Sequence, residues 1–255
     1  MELNIKDLVQ STEKTLKRNA VILSCLFLLC FCTLIGLILS KPSVPNHDPD
    51  VFTSLPMSTD KLRKLAEAVE AYRDQSYGYT LGLFCFVYLY LQSFGIPGPI
   101  FLSQISGVIF GKWIGLFIVT MCATTGSALC YLLSNNLGKG IVVRLFPSML
   151  IKTNRIIVDN KDNLLNYLLF LRVMPIVPNW IINLAAPIIG VPLHKFVVAT
   201  FFGLIPPNFI YATGGITLKT INDQGADYYS LGVLIVIGVL VVVPALRKKE
   251  VKVKV

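Results

Sequence analysis

Several stretches of this chain carry no charge and are long enough to cross a membrane, among them residues 20–39, twenty in a row, and residues 228–246, nineteen. A hydrocarbon core is about 30 Å thick, and a helix needs roughly 20 apolar residues to span it. Both runs therefore predict transmembrane helices. The composition agrees, since 54% of the 255 residues are hydrophobic and only 15% are charged, against about 25% charged in soluble domains. The first run follows Lys17 and Arg18 like the core of a secretory signal. It exceeds the roughly 7 to 15 residues of such a core and ends in Ser40-Lys41-Pro42, so it reads as an anchor that is kept.

The net charge of +9 collects beside these runs, in Lys14, Lys17 and Arg18 before the first and Arg247, Lys248, Lys249, Lys252 and Lys254 after the last. Basic flanks of this kind face the cytosol and anionic lipid. No aromatic-interleaved basic domain accompanies them, which excludes nucleic acid as a partner. All six cysteines (Cys25, Cys30, Cys32, Cys85, Cys122 and Cys130) fall in apolar segments and read as reduced packing residues rather than a disulfide framework. With His47 and His194 as the only histidines, there is no HExxH pattern and no Ser-His-Asp set, so neither a metal centre, a cofactor nor an enzyme is expected.

Composition divides the chain into a basic cytosolic N-terminus (residues 1–19), the anchor (20–39), a loop with an amphipathic helix (40–78), a core (79–218), a loop with the last span (219–246) and a basic tail (247–255). The amphipathic helix is predicted over residues 60–75, where Leu62, Leu65, Ala66, Val69 and Tyr72 recur at helical spacing. The core has one layout twice. A short apolar helix at 79–94 is broken by Gly95-Ile96-Pro97-Gly98-Pro99, followed by a piece at 100–111 too short to span, and then a span at 113–134. After a polar, basic loop at 135–163 come an apolar piece at 164–171, a break at Pro175 and Pro178, another piece at 180–190, and a span at 196–214 that Pro206-Pro207-Asn208 opens midway.

Paired, short hydrophobic segments interrupted by glycine and proline point to an internal repeat with broken helices near mid-membrane. Non-helical backbone at that depth must be buried in protein or reached by water, so the two breaks predict re-entrant hairpins with polar company at their tips. Five full crossings would remain, an odd number, although both termini are basic. Arg172 is the only charged residue between Asp162 and Lys195. A cation at mid-depth costs roughly 2.5 to 3.5 kcal/mol and normally faces protein or water. Ser103, Gln104 and Ser106 after the first break, Thr124, Thr125 and Ser127 on the next span, and Asn179, Asn183 and Asn208 are the nearby polar residues, several of which are expected to share a cavity with it.

These segments resemble a known family. Phe94-Gly95-Ile96-Pro97-Gly98-Pro99-Ile100-Phe101-Leu102-Ser103, with Ser106-Gly107 after it, is similar to the first re-entrant motif of VTT-domain membrane proteins, the eukaryotic side of the DedA superfamily. Leu171-Arg172-Val173-Met174-Pro175-Ile176-Val177-Pro178-Asn179-Trp180, with Asn183, Pro187, Pro192 and the stretch from Gly203 to Pro207, resembles the second. The likeness covers residues 79–218 and looks closest to the endoplasmic-reticulum lipid scramblases of autophagosome and lipoprotein biogenesis. It implies an all-α integral membrane protein, a multi-span helical bundle with two opposed re-entrant hairpins in an inverted repeat. It also implies energy-independent exchange of phospholipid between leaflets. Bacterial DedA proteins carry an acid just after the first Pro-Gly and a second arginine after the second motif's first proline. Here Pro99 and Pro178 stand in those places, which argues against a proton-driven cycle.

Taken with the polar residues around Arg172, the resemblance implies a phospholipid scramblase with phospholipids as its partners and no specified oligomeric state. Arg172 would hold the headgroup phosphate, helped by Gln104, Asn179, Asn183, Asn208 and Ser103, with Pro97, Gly98, Pro99, Pro175, Pro178, Pro206 and Pro207 shaping the hairpins. Two alternatives compete: an ion-coupled secondary transporter of a small anion or lipid-linked substrate, and a structural adaptor at membrane contacts. The first is weakened because Asp159 and Asp162, both in the polar loop, are the only acids between residues 79 and 218.

Overall fold

The computed structural model describes residues 5–40, 70–174 and 177–220, and all regular structure among them is helical. The first helix, α1 (Ile5–Leu39), has 35 residues and is about 52 Å long at 1.5 Å per residue. The predicted anchor is its second half. Nothing in its most apolar window is buried against protein, and Val21, Leu28 and Leu29 are more than half exposed. That is the face a helix offers to lipid.

Next come α2 (Tyr77–Ser93), α3 (Pro99–Phe110) and α4 (Lys112–Leu133). Between α2 and α3, Gly95 at φ 66° and Gly98 at φ 142° adopt backbone conformations that a Cβ would strain. Pro97 has no N–H to extend α2, and Pro99 takes the first turn of α3, where that N–H is not needed. The chain then doubles back. Phe110 at the end of α3 meets Tyr77 and Phe84 near the start of α2, with ring centres 6.0 and 5.3 Å apart. Arg73, in a short helical piece at 70–75, donates to the Ile109 carbonyl and pairs with Asp74 at 2.7 Å. This supplies a donor to a carbonyl that the end of α3 leaves open.

α1 runs antiparallel to α2. The Tyr79 hydroxyl donates to the Leu37 carbonyl at one end, and Phe27 packs on Tyr90 and Phe94 at the other, with centroids 5.4 and 5.2 Å apart.

Where the sequence predicts a polar loop at 135–163, the chain forms a π-helical turn (Ser134–Gly138), α5 (Lys139–Leu145), α6 (Pro147–Asp159) and a 3-10 turn (Lys161–Asn163). The charges are what mislead. Val142, Val143, Leu150 and Ile157 are buried at helical spacing while Lys152 and Arg155 face outward, so these are amphipathic helices.

The second half comprises α7 (Leu164–Val173), α8 (Asn179–Ile188) and α9 (Leu193–Thr220). It repeats the order of helix, break, short helix, glycine and long helix, and the two glycines, Gly111 and Gly190, both have φ 79°. Packing follows the same plan. α2 lies on α4 and α7 on α9, α3 crosses to α9 and α8 to α4, and α4 and α9 pack on each other. The last two run antiparallel, with Tyr131 against Phe196 at one end and Trp113 against Phe209 at the other. A Cβ on Gly107 would stand 2.0 Å from the Ala212 carbonyl oxygen, and one on Gly215 1.9 Å from that of Gln104. The α3 and α9 backbones therefore touch, as small residues allow in membrane helix pairs.

One expectation is corrected here. Pro206 and Pro207 do not open α9, which continues through both for 28 residues. They remove the N–H groups that would bond the Phe202 and Gly203 carbonyls, a loss that a packed membrane helix tolerates when neighbours compensate. Among the described residues three helices are long and apolar enough to cross a membrane: Asp7–Leu39, Lys112–Leu145 and Leu193–Ile216. The expected span at 228–246 and most of the amphipathic helix at 60–75 lie outside the described residues.

Candidate functional site

Helix α7 buries Leu164, Leu168 and Leu171 along one face, and Arg172 follows on the same side, only 3% exposed. Its Nη1 donates to Asn179 Oδ1 at 3.1 Å and its Nη2 to Asn183 Oδ1 at 2.7 Å. The two asparagines lie one turn apart on α8, so a single helix face presents both amides to one guanidinium. The Phe196 ring lies beneath, 4.9 Å from Cζ to its centroid, at a distance where the ring face attracts a cation. Asn183 then donates through Nδ2 to Ser127 Oγ at 3.2 Å, and Gln92 Nε2 donates to the same oxygen at 2.9 Å. The network thus joins α2, α4, α7 and α8.

Two glycines make room for it. A Cβ on Gly203 would stand 2.5 Å from Arg172 Cβ, and one on Gly126 would stand 2.6 Å from Gln92 Cβ. Both distances are far inside contact, so α9 and α4 approach the two polar residues only because these positions lack side chains. Both residues are next to last in their helices, Gln92 in α2 and Arg172 in α7.

The charge accounting identifies the chemistry. Among the described residues no carboxylate lies within ion-pair distance of Arg172, and its polar partners are neutral amides. A guanidinium offers five N–H donors in a planar fork, of which two are used in these bonds. A buried cation with neutral partners and spare donors suits an anionic ligand, above all a phosphate that accepts two parallel bonds. The two breaks also meet here. Trp180 follows the second break, and a Cβ on Gly95 in the first would stand 4.0 Å from Trp180 Cβ.

Of the six residues predicted to bind substrate, Arg172, Asn179 and Asn183 come together, and the other three do not join them. Ser103 bonds the Tyr88 hydroxyl at 3.1 Å, and Asn208 donates to Thr120 Oγ1 at 3.4 Å. The Gln104 side chain makes no hydrogen bond among the described residues. Pro97, Gly98 and Pro99 shape the first break, Pro178 immediately precedes α8, Pro206 and Pro207 lie within α9, and Pro175 is outside the described residues. Among the described residues, no three His, Cys, Asp or Glu side chains gather as a metal would require. Ser127 was expected only as polar company near the breaks, and Gln92 was not expected in the site at all. Gln92 carries the signal that marks Arg172, a lone strongly polar side chain in an otherwise apolar helix.

The VTT domain model matches residues 96–217. The transmembrane protein 41 homolog of Caenorhabditis elegans is 35% identical over 209 residues, covering 81% of this chain and 85% of that one. The chain belongs to the transmembrane protein 41 branch of the VTT-domain family. Transmembrane protein 41B of Gallus gallus is 35% identical over 202 residues, 78% of this chain and 75% of its own, and that of Homo sapiens is 33% identical over 211 residues, 82% and 72%. No solved structure matches significantly. With these relatives and its apolar helices, this VTT-domain chain is an integral membrane protein. The matched domain begins inside the first break and ends within α9, so it takes in the second break and Arg172, while Gln92 lies just before it.

Proposed function

We propose that this chain is an energy-independent phospholipid scramblase of the endoplasmic reticulum, passing headgroups between leaflets along the polar seam around Arg172 and supporting membrane biogenesis. The observation that carries the reading is the buried guanidinium bonded to Asn179 and Asn183 with no carboxylate beside it among the described residues.

Depth supports it. Phe27 lies seven residues into the uncharged run of α1, about 10 Å along the helix from where that run begins. Through Phe27, Tyr90 and Phe94 bring the end of α2 to the same depth. α2 and α3 then form a re-entrant hairpin entering from the Leu39 side, because Tyr79 bonds the Leu37 carbonyl at its mouth. The hairpin of α7 and α8 enters from the opposite side: after α8 the chain reaches Val191, whose carbonyl accepts a bond from Tyr131 at the far end of α4. The matched packing of the halves on α4 and α9 reads as an inverted repeat, a plan that places a binding site where broken helices meet.

A headgroup crossing hydrocarbon alone leaves polar groups unsatisfied at several kcal/mol. Arg172 would take the phosphate, and the amides of Asn179, Asn183 and Gln92 with the Ser127 hydroxyl would replace headgroup water, while the acyl tails stay in lipid. The described state is closed over Arg172, so access requires the hairpin tips to part. Ion coupling has less support, because Asp159 at the end of α6 and Asp162 in the 3-10 turn are exposed rather than in the seam.

The test is reconstitution of the purified chain into liposomes containing fluorescent phospholipid, followed by an outer-leaflet quencher. Scrambling drives the signal well below one half without nucleotide or ion gradient. A plateau at one half, as in empty vesicles, defeats the proposal.

A further inference from the structure

The π-helical turn after α4 belongs to no part of the Arg172 seam. It packs against the basic half of α1, and between them lies a cleft of about 170 Å³ lined by Thr12, Thr15, Asn19, Asn135, Asn136 and Lys139. We propose that this cleft is a second lipid site, holding the phosphate of an anionic phospholipid at the membrane surface on the side of the N-terminus.

Its walls are built to stay close. A Cβ on Gly140 would stand 2.9 Å from Leu16 Cδ1 and 3.0 Å from Thr12 Cβ, so α1 and α5 approach only because that position is glycine. Asn19 Nδ2 donates to the Asn136 carbonyl at 3.4 Å, closing one edge. π-helical turns recur at functional sites, and this one carries two adjacent asparagines into the cleft.

Depth and charge select the ligand. Asn19 is the residue before the uncharged run 20–39, and Asn135 and Asn136 follow the span of α4, so both walls leave hydrocarbon together at headgroup level. Lys139, half-buried in the wall, makes no hydrogen bond or ion pair among the described residues. Lys14, Lys17 and Arg18 are exposed on the same stretch of α1 and add to the positive potential, with Glu13 the acid among them. A cation and several amides at headgroup depth bind a phosphate whose tails remain in the adjacent leaflet. A free phosphate would present the same chemistry without the tails.

The site is independent of scrambling, so its test reads binding. Full-length protein in neutral detergent is titrated with dioleoyl phosphatidic acid or dioleoyl phosphatidylcholine, and bound lipid is counted by native mass spectrometry. Wild type should hold phosphatidic acid more tightly than phosphatidylcholine, and excess inorganic phosphate should not displace it. Lys139→Gln should weaken phosphatidic acid roughly fivefold, the effect of about 1 kcal/mol per cation near a membrane surface. Lys139→Arg should retain binding, and Asn19→Ala, from the opposite wall, should weaken it independently. Displacement by inorganic phosphate, an unchanged Lys139→Gln, or equal weakening by Lys17→Gln, outside the cleft, would overturn the site.

Discussion

Gln92 on α2 and Arg172 on α7 are joined by two side chains, with Ser127 accepting from Gln92 and from Asn183, and Asn183 accepting from Arg172. Each is next to last in its helix, and each lies against a glycine that could bear no side chain. The two halves therefore meet through polar groups at the tips of their broken helices, and this arrangement gives the predictions below.

Replacing Gln92 by Leu removes one end of the network and leaves the Asn183 bond to Ser127 intact. Lipid exchange should slow by about tenfold, the effect of one buried hydrogen bond of roughly 1.4 kcal/mol, with normal expression and elution. Stopped-flow quenching of reconstituted vesicles measures it, and a wild-type rate would confine the site to α7 and α8.

Gly203→Ala places a methyl group 2.5 Å from Arg172 Cβ. Overpacking of this kind costs about 1 to 3 kcal/mol, so the detergent-solubilised protein should melt at a lower temperature. Gly36→Ala, where no atom lies within 4 Å, should leave the melt unchanged.

Substituting Arg172 by Lys keeps the charge and removes the fork that reaches two amides. Exchange should fall to a rate between wild type and a neutral variant. A rate equal to wild type would mean that charge alone suffices at this position.

A membrane-impermeant maleimide should label none of Cys25, Cys30, Cys32, Cys85, Cys122 and Cys130 in intact vesicles, and all six after detergent denaturation. Cys25 and Cys32 are exposed on the apolar half of α1, so their protection tests whether lipid covers that face.

Much of this was legible in the sequence because membrane constraints act over short stretches. The length of residues 20–39, the glycine and proline breaks and the cost of Arg172 each follow from residues close together. Asn179 and Asn183 were also within reach, one turn apart just past the break that follows Arg172. Gln92 and Ser127 were harder, because their connection spans 35 residues and exists only once α2 packs on α4. The basic stretch at 135–163 misled through its charges, among which Lys152 and Arg155 face outward from an amphipathic helix. Pro206 and Pro207 misled for the opposite reason: a local rule predicts a break, but α9 packs on α3, α4 and α7 and stays helical.

The most direct measurement compares wild type with Arg172→Leu in the liposome quenching assay, after both are shown to elute and melt as folded protein. Leucine removes the cation and keeps an apolar side chain in the same space, which folding tolerates well. Wild type should quench well past one half, while the variant stops near one half like empty vesicles. Equal and complete quenching by both proteins would contradict a headgroup path through Arg172.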